Sequence, residues 1–426
     1  MSKILAKPVT AIVLLIVGLL VGVGIGYGIW GIPRVPYEER VIVGLLPLTG
    51  VLSTYGENSK FTALLAEKDV NLYLEKLGRP WRLKVIIDDT ETKPATARSK
   101  LESWHGEGVK FFFGPMSSGE VSECKGYADA NHILVVSPSS TSPALRADDW
   151  VFRFCPHDYV QGPALAKLIW ECGVRHLVIS WRGDTWGDGL ASAVKDAFEG
   201  LGGTVHYWEE FRYDPGKEDF PDVADLLNTR IGELLATYPA EEIGIDIIAF
   251  EEVVPYMEDC AGYADLRRVK WFGSDGTCLQ AALVEHATAG PFAADVRFAN
   301  TLFAPGLSEN PRFAYVRGMG LQVLGRELDA YAYATYDIVW CLALAIDKYG
   351  YDPDAVRPHF KDLVWDWTSK YGASGPIELD ENGDRAYADY DVWAVLYEAG
   401  KPTWKKVAIW HGPAPGTIEW IVQLYP

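Results

Sequence analysis

From Val41 onward, short apolar runs alternate with longer stretches in which apolar residues recur every three or four positions. The short runs predict strands over Val41–Leu46, Leu83–Asp88, Lys110–Phe113, Ile133–Val136, His176–Ser180, Thr204–Phe211, Ile245–Phe250, Val269–Phe272 and Arg297–Leu302. Several are apolar at nearly every position, as expected where both faces of a parallel sheet are covered. Between them, Asn58–Leu77 places Phe61, Leu64, Leu65, Val70, Leu72 and Leu74 at helical spacing and stops at Gly78. Gly162–Cys172 and Gly189–Leu201 follow the same pattern. Such alternation builds α/β units with right-handed crossovers. The repeats outnumber the strands of one ordinary sheet, so the pattern predicts an α/β protein of two doubly wound parallel-sheet lobes. The C-terminal third departs from it. A long helix over Tyr331–Tyr349 is followed by candidate strands at Ile377–Asp380, Asp391–Tyr397 and Lys405–Trp410, with a turn at Glu381–Asp384.

The N-terminal end is different in kind. Ala11–Ile32 is 22 residues long and holds only Ala, Ile, Val, Leu, Gly, Tyr and Trp. As a helix it would span about 33 Å, enough for the hydrocarbon core of a bilayer. The run exceeds the apolar stretch of a secretory signal, and no A-x-A cleavage site follows. The expectation is an uncleaved transmembrane anchor with residues 33–40 as linker. Lys3 and Lys7 precede the run, which keeps the short tail cytoplasmic and the body outside the cell. That tail is too short to be an effector domain. Residues 1–40 carry four basic and two acidic side chains; the rest carries 35 basic and 56 acidic, or −21. A body this acidic argues against nucleic acid as a partner.

Enzyme signatures are missing. Met116 occupies the serine position of a nucleophile elbow, and no H-E-x-x-H, G-x-G-x-x-G or P-loop string is present. Asp380-x-Asn382-x-Asp384 begins like a calcium loop, but Arg385 stands where the loop needs glycine, so a polar turn is expected. No cofactor and no metal are predicted. The six cysteines (Cys124, Cys155, Cys172, Cys260, Cys278, Cys341) fit no zinc spacing. Buried thiols and one or two disulfides, Cys260–Cys278 first among them, are both open.

Ligands of open α/β sheets bind beyond the carboxyl ends of strands, so the loops there carry the candidate chemistry. The first strand leads to Leu46–Gly56, with Tyr55 on the loop. The third leads to Gly114-Pro115-Met116-Ser117-Ser118-Gly119-Glu120, and the fourth to Ser137–Pro143 with Ser140 and Thr141. Two neighbouring hydroxyl-rich loops, one entering a helix, suit an anion, and the lack of Lys or Arg favours a carboxylate over a phosphate. Ordinary N-capping would explain one such loop. Trp186 sits on a glycine-flanked loop after the fifth strand. Asp275, after the eighth, is suited either to an ammonium group or to capping a helix.

In this order the loops resemble the extracytoplasmic solute-binding proteins of the leucine/isoleucine/valine-binding type, which serve ABC importers. The likeness is carried by "GLLPLTGVLSTYGE", "FFFGPMSSGE", "VVSPSSTSP", "WRGDTWGDGL", "WFGSDG" and "SGPIELDENGDRAY" and runs from about Val41 to the C-terminus. It implies that Ser118 and Thr141 bind a ligand carboxylate, with backbone groups from Met116 and Ser140. Ser117 belongs to the same loop, at a place where some relatives have a disulfide cysteine. Asp275 would take the ammonium, and Tyr55 and Trp186 would wall the pocket. The family's aromatic after the seventh strand finds no match; Glu251, Glu252 and Val253 stand there, so a second acidic contact from Glu252 is expected. The resemblance also implies a three-crossover hinge near Cys155, Ala304 and Gly383. Lobe one would be 41–155 plus 305–383, and lobe two 156–304 plus 384–426. The expected function is capture of a free amino acid, branched-chain or otherwise apolar, for an ABC permease with its ATPase subunits. An amide, urea or aromatic acid as ligand, or a ligand-sensing receptor ectodomain, are the alternatives.

Overall fold

The computed structural model describes residues 37–305 and 310–425. The chain opens with β1 (Glu38–Leu46), α1 (Ser53–Lys76), β2 (Trp81–Asp89), α2 (Pro94–Gly106), β3 (Phe111–Phe113), α3 (Ser118–Ala130), β4 (Leu134–Ser137) and β5 (Val151–Pro156). It continues with α4 (Asp158–Glu171), β6 (His176–Arg182), α5 (Thr185–Gly200), β7 (Thr204–His206), β8 (Arg212–Tyr213), α6 (Pro221–Leu235) and β9 (Ile243–Ile248). Then come α7 (Val253–Cys260), β10 (Lys270–Gly273), α8 (Ala281–Glu285), α9 (Ala289–Asp295) and β11 (Ala299–Phe303). The helices α10 (Pro311–Leu324), α11 (Ala330–Tyr349) and α12 (Pro353–Tyr371) precede β12 (Asp384–Arg385), β13 (Tyr390–Glu398), β14 (Lys401–His411) and β15 (Thr417–Trp420).

Two sheets result. The first has the order β12-β5-β4-β3-β1-β2 and is parallel throughout. The second runs β15-β14-β13-β11-β10-β9-β6-β7, parallel from β11 to β7 and antiparallel from β11 through β15. The chain therefore passes from the first sheet to the second after β5, returns after β11, and crosses again between β12 and β13. Cys155 lies on β5, Ala304 directly after β11 and Gly383 directly before β12. Helices cover both faces of each sheet, which is why β3, β4 and β9 are buried at every position. On α1, Ser59, Thr62, Ala63, Ala66, Val70 and Leu74 form the buried stripe, and α11 packs along it.

The differences from expectation have local causes. β5 escapes the hydrophobic pattern because Arg153 interrupts it, yet Arg153 is only 1% exposed. Its charge is answered by a bidentate pair with Asp384, Nε–Oδ1 and Nη2–Oδ2 both at 2.6 Å. The run Thr204–Phe211 leaves the strand at His206, where Tyr207 (φ 54°) and Glu209 (φ 70°) turn left-handed. Ile377–Asp380 is not a strand; Leu379 makes one isolated bridge to Arg385. The Asp380–Asp384 segment is a tight turn, with Asp380 Oδ1 accepting the N–H groups of Asn382 (2.9 Å) and Asp384 (3.0 Å). All six cysteines are free and buried, so no Cys260–Cys278 bridge exists. Ala11–Ile32 lies outside the described residues, and among those described no helix is long and apolar enough to cross a membrane.

One core residue breaks the pattern. Asp246, in mid-β9 beside Ile179 and Phe272, is fully buried and neither carboxylate oxygen has a partner. Burial pushes its carboxyl up to about 7. The folded protein therefore holds a proton there that the unfolded chain releases near pH 4, and the cost of keeping Asp246 folded grows as pH rises toward 7. Compared with Asp246→Asn, the wild type should lose a few kcal/mol of stability between pH 4 and pH 8 in urea titrations. Parallel pH profiles for the two proteins would contradict this.

Candidate functional site

The loops after β1, β3, β4, β6, β9 and β10 converge between the two sheets. Two devices fix those of the first lobe. Gly114 (φ 75°) lets the chain turn over β1, where a Cβ would lie 2.1 Å from Leu45 O. Hydroxyls then tie the neighbouring loops together: Ser137 Oγ donates to Pro115 O (2.7 Å), Ser139 Oγ to Met116 O (2.8 Å), and Ser142 N–H to Ser118 Oγ (3.1 Å). Arg153 secures the second loop from beneath, donating to Ser140 O and Ser142 O at 2.8 Å each.

A small, partly open space of about 20 Å³ lies at this junction, lined among others by Tyr55, Met116, Ser117, Ser118, Trp186 and Asp275. Leu52, Ser139, Phe250, Gly276 and Tyr331 complete the wall. Ser117 faces the space, but its hydroxyl serves a capping box with Glu120 at the start of α3. Trp186 stacks on Phe250 at 4.5 Å and 14°, and the Arg182 guanidinium covers the other face of Phe250 at 4.1 Å. Phe250 thus places an aromatic just beyond β9, the counterpart of the seventh predicted strand, where the resemblance finds no match. The sequence pattern places it inside that strand, whereas β9 ends at Ile248.

Asp275 is fixed by Gln161 Nε2 on Oδ1 (2.9 Å) and by the Tyr331 hydroxyl on Oδ2. Burial raises its carboxyl, and these two hydrogen bonds pull it back. Beside it stands Asp158, the first residue of α4, fully buried. Burial and the Asp275 charge push its carboxyl well up, against the Thr141 hydroxyl and Arg153, which act the other way. The Ser140 hydroxyl is buried and without a partner. Neither Ser140 nor Thr141 lines the space itself, and Thr141 stands next to Asp158, whose N–H donates to Thr141 O (2.9 Å). Glu252 does not reach the site. It pairs with Arg182 and accepts the Tyr213 hydroxyl (3.2 Å), which corrects the expected second acidic contact: the nearby cation takes it. Gln161 and Tyr331 were hidden from sequence reasoning because they lie within helices rather than at strand ends, and Asp158, two residues past the end of β5, because β5 itself escaped the pattern. The one signal was a buried-looking Asp opening a helix directly after the first crossover.

The lobes touch across the site. The Tyr55 hydroxyl donates to Asp275 O (2.6 Å) and Cys278 O, Ser142 Oγ to Thr185 O (2.7 Å), and Ser53 Oγ to Glu251 Oε2 (3.1 Å). The wall offers the serines Ser117, Ser118 and Ser139, the Asp275 carboxylate, and the rings of Tyr55, Trp186, Phe250 and Tyr331; Asp158 is not part of it. That is a site for a small solute enclosed between two lobes.

Comparisons with known proteins agree. Residues 41–228 match the periplasmic binding protein family, and residues 263–397 the receptor family ligand-binding region. An uncharacterised protein of Methanocaldococcus jannaschii is 31% identical over 90% of this chain and 92% of its own length. The Leu/Ile/Val-binding protein BraC3 of Rhizobium johnstonii is 30% identical over 45% of this chain, which spans about half (51%) of that relative. The crystal structure of a leucine-binding protein LivK from Thermotoga maritima superposes with a TM-score of 0.69 at 22% identity, covering 87% of this chain and 98% of that one. The chain belongs to the periplasmic binding proteins of the Leu/Ile/Val-binding type.

Proposed function

We propose that this chain is the membrane-anchored, extracytoplasmic solute-binding component of an ABC importer. It captures a free apolar amino acid between its lobes and delivers it to a permease with its ATPase subunits. The observation that carries this reading is the adjacent, buried pair of carboxyl groups on Asp158 and Asp275. Two adjacent buried carboxylates call for a cation, and an α-ammonium is the cation that arrives with a carboxylate for the opposite, hydroxyl-rich side. Ser118 at the start of α3, in the wall of the space with Ser117 and Ser139, supplies that side. The anchor rests on the apolar run Ala11–Ile32 and its basic flank.

The Trp186–Phe250 stack favours a second reading, an aromatic acid. Such a ligand brings a second anion to two carboxylates and leaves them without a counter-charge. A thermal-shift screen of leucine, isoleucine, valine and alanine against amides, urea and benzoates separates the two. A ligand at a hundred times its Kd stabilises by about 2.7 kcal/mol. The amino acids should raise the melting temperature; a rise with benzoates alone would overturn the proposal. Ser118→Ala should weaken amino-acid binding at least about tenfold. Undiminished binding in calorimetry would remove the carboxylate assignment.

A further inference from the structure

The first lobe carries an aromatic and cationic face that ligand binding does not use. Tyr55 at the cleft and Tyr73 on this face lie on one helix, separated by about 27 Å of its length. Leu72, Leu77 and Tyr371 are each about half exposed (48%, 48% and 52%). Beneath them the rings form a continuous row: Tyr73 against Trp340 (5.6 Å), Trp340 against Trp367 (5.5 Å), Trp367 against Tyr371 (6.3 Å). Two grooves meet there and share Lys370 and Tyr371. Their basic residues, Lys76, Arg79, Arg312, Lys348 and Lys370, outnumber the acids Asp69, Asp347 and Asp366, the reverse of a body that carries −21.

The face is continuous with the point where the described chain begins. Arg79 pairs with Asp347 (2.9 Å), the Trp81 indole donates to the same carboxylate (3.1 Å), and Arg82 lies over the Tyr37 ring at 5.2 Å. From Ile32 to Tyr37 the chain reaches about 18 Å at full extension. A body held that close to a bilayer must present one surface to it. Tyrosine, tryptophan and leucine beside lysine and arginine is the composition that settles at lipid headgroups.

We propose that this face of the first lobe rests on an anionic bilayer surface, with Leu72, Tyr73 and Tyr371 at headgroup depth and Lys76 and Lys370 toward the phosphates. The inference rests on the reading of Ala11–Ile32 as an anchor. Because all six native cysteines are buried, an introduced surface thiol can be labelled alone. The full chain, carrying a fluorophore at Leu72→Cys or, on the second lobe, at exposed Glu218→Cys, is reconstituted in vesicles. These contain equal parts phosphatidylglycerol and phosphatidylcholine and a headgroup-nitroxide lipid. The label at position 72 should be quenched several-fold more than that at 218, and raised salt or Lys76→Glu with Lys370→Glu should shrink the difference. Equal quenching in a chain that co-floats with the vesicles overturns the face alone. Failure to co-float removes the anchor, and the face with it.

Discussion

Asp158→Asn combined with Asp275→Asn is expected to weaken binding of a free amino acid by at least about a hundredfold, against at least about tenfold for Asp275→Asn alone. Each substitution removes a charge-assisted contact with the ammonium and keeps the shape of the side chain. The pH dependence is the sharper readout. Burial raises both carboxyls, and the Asp275 charge raises Asp158 further, so the empty site holds protons that an arriving ammonium must displace. Amino-acid affinity should therefore increase as pH rises through the acidic range. The calorimetric enthalpy should depend on the buffer's ionisation heat, because protons are released on binding. The double variant should lose both effects. Amino-acid binding that is indifferent to pH and to both substitutions would show that the carboxylates serve the fold and not the solute.

Arg153→Ala is expected to lower the free energy of unfolding by about 3–5 kcal/mol, the cost of stranding one member of a buried ion pair. Asp384 is 1% exposed, and its other cation, Arg146 Nε, stands 3.6 Å away and is partly solvated, so it compensates only in part. Arg153→Ala with Asp384→Ala should cost less than the sum of the single changes, since neither charge is then left alone. The same substitution frees Ser140 O and Ser142 O, so the ligand loop loosens along with the third crossover. Urea unfolding and solute affinity should fall together. A variant as stable as the wild type would contradict the ion-pair assignment.

The architecture was largely legible because strand and helix periods are set by burial, and burial here is nearly complete on both sheet faces. Misreadings arose where a polar residue inside an element is answered by another far away in sequence. Arg153 hid β5 because its partner Asp384 is 231 positions downstream. Glu252 looked like a ligand contact because Arg182, 70 positions upstream, could not be placed against it. Strand-end reasoning located Tyr55, Met116, Ser118, Trp186 and Asp275, all of which line the space. It had no means of finding Gln161 or Tyr331. These reach Asp275 from α4 and α11, and helix-borne polar residues carry no positional signature of that kind.

The hydrogen bonds that shut the cleft, from Tyr55, Ser142 and Ser53, involve no solute atom. Each has a net value of about 0.5–1.5 kcal/mol, so together they favour the shut form of the empty protein by no more than a few kcal/mol. Apparent affinity is the intrinsic affinity scaled by the fraction open to entry. Ser53 and Ser142, whose hydroxyls make two of these contacts, are therefore a gain control: substitutions there should retune apparent affinity while leaving Asp158, Asp275 and the aromatic walls in place.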